Sequence, residues 1–266
     1  MEHILLDEPR AGVKTITLNR PEALNAFTWK MYEEFTETLQ SFRRDLRTRV
    51  IIVTGAGKGF CAGHDAKAGP CPWADPAYGR AYGSKISLSQ LGQIPLLIRS
   101  LPQPVVCAVN GAAAGIGYSL ALAADLALAG QSAKFVNSTH NAATGCELGL
   151  SYMLQKAIGT QRAAELLLTA RPVPAEEAAR IGLVLRAVPD AELMDAALEL
   201  AERITVNVPI GIWLTKQSLW LNQSAGSLEH AMELEARAVF IAQSTEDAVD
   251  KRASFWEKRA PKFAFK

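Results

Sequence analysis

Two glycine-rich turns and one isolated glutamate are the parts of this 266-residue chain whose types and spacing could do chemistry. Each turn follows an apolar run. Val53-Thr-Gly-Ala56 continues through Gly57-Lys-Gly-Phe-Cys-Ala-Gly63 to His64-Asp65, and Val109-Asn-Gly-Ala112 continues through Ala113-Ala-Gly-Ile-Gly117. Where a strand ends in small residues, a ligand can approach the backbone closely and meet its unpaired N–H groups. One such N–H comes from His64, just past Gly63, and another from Ile116, between Gly115 and Gly117. Two donors converging on one oxygen would form an oxyanion hole, which in acyl chemistry lowers a barrier by about 3–4 kcal/mol per donor. The same glycines also serve wherever strands and helices meet tightly, so the residues alone leave both readings open.

Between Thr139 and Leu150 the only acidic side chain is Glu147, amid Gly145, Cys146, Leu148 and Gly149. An apolar setting disfavours a charged carboxylate and raises its pKa towards the range useful for moving protons near neutrality. Alternatively, Glu147 complements the dipole of a helix beginning at Ser151. His140, in the same loop, is either a second polar group of the site or a surface histidine. Asp65 is expected to brace the turn after Gly63, and Asp125, in Ala124-Asp-Leu126, to satisfy backbone groups at a helix end.

The elements that position these residues read as follows. Ile4–Leu6 and Val13–Leu18 form a hairpin, and Asn19–Ala26 is a loop set by Pro21. Thr28 caps an amphipathic helix to about Asp45 that buries Met31, Phe35, Leu39 and Phe42. Val50–Thr54 and Val105–Val109 are buried strands. The likeness of Val53–Ala56 to Val109–Ala112 implies a repeated strand–turn–helix unit stacked as a spiral, the second unit leading into an Ala/Leu-rich buried helix. Residues 66–84 form a long irregular insertion, and Ser89–Ser100 a helix kinked or restarted at Pro95. Lys134–Val136 is a strand, Ser151–Ile158 a helix closed by Gly159, and Arg162–Thr169 and Ala175–Ile181 are helices before a strand at 182–188. Beyond Pro189 the pattern is helical: 191–203, 209–222 and one long helix from Ser227 to about Arg259. Its large apolar side chains call for cover by a neighbouring subunit.

With 28 basic and 27 acidic residues, the net charge of +1 argues against a dedicated nucleic-acid binder. No apolar run approaches the roughly 18 residues of a membrane span, and the acidic start Met1-Glu-His-Ile-Leu-Leu-Asp-Glu8 is unlike a secretory signal. The four cysteines, at 61, 71, 107 and 146, have no metal-ligand spacing, and no disulfide framework is expected. These traits together point to a globular protein of the cytoplasm.

In order along the chain, Leu18-Asn-Arg-Pro-Glu-Ala-Leu-Asn-Ala26, Val53–Asp65, Val109–Gly117, Ala178-Ala-Arg-Ile-Gly-Leu-Val184 and a helical tail ending Phe255-Trp-Glu-Lys-Arg259 resemble the crotonase (enoyl-CoA hydratase/isomerase) superfamily. The resemblance implies an α/β spiral of ββα turns over residues 1–203 and a C-terminal helical trimerisation region over 204–266, often assembled as a dimer of trimers. It implies an acyl-CoA substrate, with coenzyme A entering only as part of that substrate and no metal. The thioester oxygen maps between the His64 and Ile116 N–H groups. Coenzyme A would run past Leu24–Ala26 and the Ala62–Ala66 turn, Asp65 included, with Lys258 of an adjacent subunit, or else Arg259, reaching its phosphates.

The chain departs from the hydratase pattern at the two water-handling glutamates, which fall on Ser119 and Thr139. These two, with His140, are assigned to the acyl pocket. Glu147 resembles instead the acidic position of the family's dehalogenases and of its dienoyl and ring-type isomerases, and Ile116 stands at the middle of a usual Gly-Gly-Gly. The expected activity is therefore double-bond isomerisation with Glu147 as single acid/base. Enoyl-CoA hydration, nucleophilic dehalogenase-like chemistry and thioester binding without turnover stand as alternatives.

Overall fold

The computed structural model describes residues 2–138 and 144–266. Ile4–Arg10 (β1) and Val13–Leu18 (β2) form the expected antiparallel hairpin, with Ile4 opposite Leu18. Thr28 accepts a hydrogen bond from the Met31 N–H at 3.2 Å and starts Trp29–Phe42 (α1), whose Met31, Phe35, Leu39 and Phe42 are buried. Next come Val50–Gly55 (β3), Gly59–Cys61 (β4), Arg80–Leu91 (α2), Gln93–Ser100 (α3), Val105–Val109 (β5), Ala112–Ala114 (β6), Ile116–Ala123 (α4), Leu126–Gly130 (β7) and Lys134–Val136 (β8). After the undescribed residues follow Leu150–Ile158 (α5), Thr160–Thr169 (α6), Val173–Pro174 (β9), Ala175–Ile181 (α7), Arg186–Val188 (β10) and Leu193–Thr205 (α8). Pro209–Leu221 (α9), Leu228–Gln243 (α10) and Glu246–Glu257 (α11) make the C-terminal helical region.

One sheet runs β1-β2-β3-β5-β7-β10, parallel from β2 onward, and a smaller one runs β4-β6-β8-β9. The chain steps from the larger sheet to the smaller at β3 to β4, at β5 to β6 and at β7 to β8, which is the spiral that the repeat implied. Alternate residues of the larger sheet face opposite ways. Ile51, Val53, Val105 and Cys107 enter the main core, while Val50, Ile52, Val106 and Ala108 pack with Leu193, Ala197 and Ala201 of α8. Covered on both faces, these strands carry no polar alternation.

The structure corrects several boundaries. The small residues after Val109 make a short strand, β6, before the helix, and Leu126–Gly130 is a strand where only the Ala/Leu-rich helix was expected. Alanine and leucine suit a helix, but here parallel pairing with β5 decides. The insertion ends at Gly79, because α2 already begins at Arg80. The break before α3 falls at Gly92 and not at Pro95, since a proline in the first turn of a helix forfeits no internal hydrogen bond. The long terminal helix is two, because Thr245 accepts from the Ala248 N–H at 3.2 Å and starts α11 afresh.

Asp125 does not cap a helix end. Its Oδ2 accepts from the Val105 N–H at 2.7 Å and pairs with Lys216 Nζ at 2.8 Å, while Oδ1 accepts from Trp220 Nε1 at 2.7 Å. Lys216, 4 % exposed, also donates to the Ile98 and Gln103 carbonyls at 2.8 Å each, so α9 is pinned to the core by a fully satisfied buried cation. Among the described residues, no helix is long and apolar enough to cross a membrane.

Candidate active site

Between β3 and β4 the chain turns through Gly55–Gly59, and two asparagines hold that turn. Asn25 Nδ2 donates to the Ala56 and Gly59 carbonyls at 2.9 and 2.8 Å. Asn110 Oδ1 accepts from the Gly55 N–H at 3.0 Å, and its Nδ2 donates to the Gly57 carbonyl at 3.0 Å. Beyond β4, the Ala62 N–H donates to the Leu24 carbonyl at 3.0 Å, the Phe27 N–H to the Gly63 carbonyl at 2.8 Å, and the Asp65 N–H to the Phe27 carbonyl at 2.9 Å. The last two make a parallel bridge between Phe27 and His64. In such a bridge Phe27 uses both its backbone groups and His64 neither, so the His64 N–H points away from Phe27.

Close glycine contacts set the second turn against the first. Gly63 and Gly115 have φ of +103° and +50°. A Cβ on Gly115 would lie 3.6 Å from Gly63 Cα and 3.0 Å from Ser138 Oγ, and one on Gly117 would lie 2.3 Å from the Cys61 carbonyl oxygen. Only glycine permits this approach. The Gly63 and Gly117 N–H groups are directed at the Cys61 sulfur, yet burial still pushes that thiol up to about 12. The intervening donors remain. The His64 N–H and the Ile116 N–H, the latter on the first residue of α4, meet no acceptor among the described residues.

Around this backbone pair the side chains are aromatic. The His64 ring packs 4.6 Å from Trp29, which meets Trp73 at 5.6 Å, and Trp73 meets Tyr32 at 5.5 Å. Trp29 Nε1 donates to the Gly69 carbonyl at 3.1 Å, so the 66–79 segment is tied over α1. His64 keeps a solvent-facing edge, but packing on Trp29 holds its pKa below the usual imidazole value against the opposing pull of Asp65. Asp65 braces its turn as expected. It accepts from the Lys67 N–H at 2.9 Å and pairs with the Arg20 guanidinium at 3.0 Å, and these two contacts keep its pKa low.

Glu147 is half-buried, two residues before Gly149 at the start of α5, and α5 packs on α4. Leu148 and Gly149 both take left-handed conformations, with φ of 51° and 74°. No described residue bonds to the Glu147 carboxyl, and burial raises its pKa.

The structure thus joins Leu24 to Ala62, and Phe27, next to Ala26, to the backbone on either side of His64, and it sets Gly63 against Gly115, the residues just before His64 and Ile116; Ala66 is exposed. Ser119 lies one helical turn beyond Ile116, 2 % exposed, its hydroxyl without a partner among the described residues. Lys258 caps the end of α11, and no hydrogen bond or ion pair among the described residues joins it to this cluster. Arg259 is engaged by Asp250 at 2.6 Å and Glu257 at 2.5 Å. Thr139 and His140 lie outside the described residues. Sequence reasoning missed the bracing roles of Asn25 and Asn110; the Asn-Gly pair at 110–111 was the available signal, read only as a strand end.

A family model described as enoyl-CoA hydratase/isomerase matches residues 8–266. The chain is 44% identical over 266 residues to a probable enoyl-CoA hydratase of Mycobacterium tuberculosis, covering 98% of this chain and 92% of that one. The crystal structure of a probable enoyl-CoA hydratase/isomerase from Mycobacterium abscessus superposes with a TM-score of 0.91 at 38% identity, covering 98% of each chain. That of a monofunctional enoyl-CoA isomerase from Mycobacterium smegmatis gives 0.74 at 42% identity, covering 87% of this chain and 99% of that one.

Proposed function

Because the chain belongs to the enoyl-CoA hydratase/isomerase family, we propose that it shifts a carbon–carbon double bond in an acyl-CoA thioester through an enolate, with Glu147 as its single acid/base. The thioester oxygen accepts from the His64 and Ile116 N–H groups. The Glu147 carboxylate takes a proton from the carbon between the double bond and the thioester, and the electron pair moves onto that oxygen. When the enolate collapses, the protonated Glu147 returns the proton to the far carbon of the former double bond. Proton and charge balance within one cycle, and no second carboxylate is needed.

The observation that carries this reading is Glu147 itself: half-buried, without a bonded partner among the described residues, and raised in pKa. Hydration normally asks for a second group to manage water, and the corresponding positions hold Ser119 and Thr139. Hydration remains the second reading, favoured by the name of the relative at 44% identity. Leu228, Met232, Phe240, Phe255 and Trp256, all more than half exposed on α10 and α11, support burial against other copies of the chain, as a homotrimer or a dimer of trimers.

The test is Glu147→Gln, assayed with straight-chain and aryl-substituted 3-enoyl-CoA thioesters. Turnover should fall about 1,000-fold while thioester binding persists. Parent activity should decline as pH drops through the raised Glu147 pKa, since the first step needs the carboxylate. The sign for stability is opposite. Folding favours the neutral acid, so the parent loses stability as pH rises from the ordinary glutamate range through the raised value, and Glu147→Gln should unfold at higher temperature near neutrality. Near-parental turnover by the variant would remove Glu147 from the mechanism. Efficient hydration of crotonyl-CoA by the parent would replace isomerisation with the second reading.

A further inference from the structure

The His64 N–H shares its peptide with the Gly63 carbonyl, and a planar trans peptide points the two in opposite directions. That carbonyl accepts from the Phe27 N–H at 2.8 Å. The Phe27 N–H in turn shares its peptide with the Ala26 carbonyl, which accepts from Arg20 Nη1 at 2.5 Å. Hydrogen bonds therefore run in series from a guanidinium through two peptides to the His64 N–H, which meets no acceptor among the described residues. The Ile116 N–H has a helix behind it instead: the Gly115 carbonyl of its peptide accepts from the Ser119 N–H at 3.0 Å in the first turn of α4. His64 begins no helix.

Arg20 is held for this contact from several sides. Pro21 keeps its backbone out of the helical region, at φ −137°. Asn25 clasps that backbone: its Oδ1 accepts from the Arg20 N–H and its own N–H donates to the Arg20 carbonyl, each at 2.8 Å. Leu24 and Asn25 take left-handed φ of 49° and 58°, a strain that persists only where the surroundings over-determine a loop. Nη1 and Nη2 both reach Asp65 Oδ2 at 3.0 Å, and the exposed Glu22 lies 3.9 Å from Nε. The Arg20 and Asp65 side chains are each 16 % exposed. Asp65, next to His64, orients the guanidinium fork, and the bond to the Ala26 carbonyl is charge-assisted, the stronger kind.

We propose that Arg20 is a positioning residue for the reaction: through the Ala26–Phe27 and Gly63–His64 peptides it aims the His64 N–H and strengthens it as a donor. Hydrogen bonds in series polarise one another, by roughly 10–30 % per bond, and a cation at the head draws electron density along the series. Arg20 thereby does for His64 what the aligned peptides of α4 do for Ile116. The stronger donor favours the enolate oxygen over the ground-state thioester, so its benefit falls on kcat. The inference rests on the reading of these two N–H groups as the donors to the thioester oxygen, and not on Glu147.

A dimethylaminocinnamoyl thioester of coenzyme A tests this on the full chain, because its absorption moves to longer wavelength as its carbonyl oxygen is polarised. The parent should shift the bound probe to the red. Arg20→Met keeps the stem without the charge and should cut that shift at least twofold. Its kcat on 3-enoyl-CoA substrates should fall about 30-fold, with KM within about threefold of the parent. The shift is read on bound probe and needs no turnover, so neither a loss of folded protein nor a failure of the isomerisation reading moves it. Should Arg20→Met not fold, Arg20→Gln takes its place. Arg20→Lys, which restores a cation with three donors, should recover most of the shift. A parent that binds the probe without a red shift would take the oxygen away from the two N–H groups, and the proposal with it. A shift that the uncharged variants keep in full, a fall in kcat/KM borne by KM alone, or a loss that Arg20→Lys leaves as it was would overturn the role of Arg20 and leave the two donors standing.

Discussion

The turn after β3 is held from outside, whereas the turn after β5 is held by having no room to move. Asn25 and Asn110 reach into the first with hydrogen bonds to the Gly55 N–H and to the Ala56, Gly57 and Gly59 carbonyls. The second turn ends in the buried residues Gly115, Ile116 and Gly117, with Gly117 pressed on the Cys61 carbonyl. Both end in an N–H with no acceptor among the described residues, but one belongs to a residue whose ring meets solvent and the other to a fully buried isoleucine. Polar bracing accommodates a bulky side chain at the exposed turn, while close packing fixes the buried one by excluding every alternative.

If that contrast is right, the second turn should break hardest. Gly117→Ala puts a Cβ where the Cys61 carbonyl stands, and should lower stability by about 3 kcal/mol in urea unfolding. Displacing the Ile116 N–H should also cut kcat/KM about 100-fold. Asn110→Ala removes part of the bracing of the first turn, freeing the half-buried Gly55 N–H and the exposed Gly57 carbonyl, so a loss of about 1 kcal/mol is expected with a smaller effect on turnover. His64→Ala keeps the backbone donor and loses only the stack on Trp29. Stability should fall by about 0.5–1 kcal/mol, and kcat/KM should stay within about tenfold of the parent. Should His64→Ala prove as damaging as Gly117→Ala, the imidazole, and not the N–H, would be the group that matters at the first turn.

Much of this contrast was readable before any coordinates. The hairpin, α1 with its Thr28 cap, the buried strands β3 and β5 and the turns after them follow from apolar runs and small residues, which act locally. Leu126–Gly130 was hidden because Leu-Ala-Leu-Ala-Gly has helical composition and becomes a strand only through its neighbours β5 and β10. The split between α10 and α11 rests on a single threonine cap. At the candidate site, the glycines and Glu147 stood out by type, but Asn25 and Asn110 did not, because their hydrogen bonds join segments that only the spiral brings together.

Lys216 changes what the C-terminal helices are. Read along the chain, residues 204–266 look like an addition to a finished spiral. Yet the carboxylate of Asp125, just before β7, has its paired ammonium only once Lys216 arrives, and the Ile98 and Gln103 carbonyls accept from that same group. A buried carboxylate left without its cation destabilises a fold by about 3–5 kcal/mol, a large part of an ordinary domain's stability. During synthesis, a nascent chain that has emerged only as far as β10 still lacks a charge its own interior requires. The helical region, last in the sequence, thus supplies through Lys216 the charge that completes the spiral's interior.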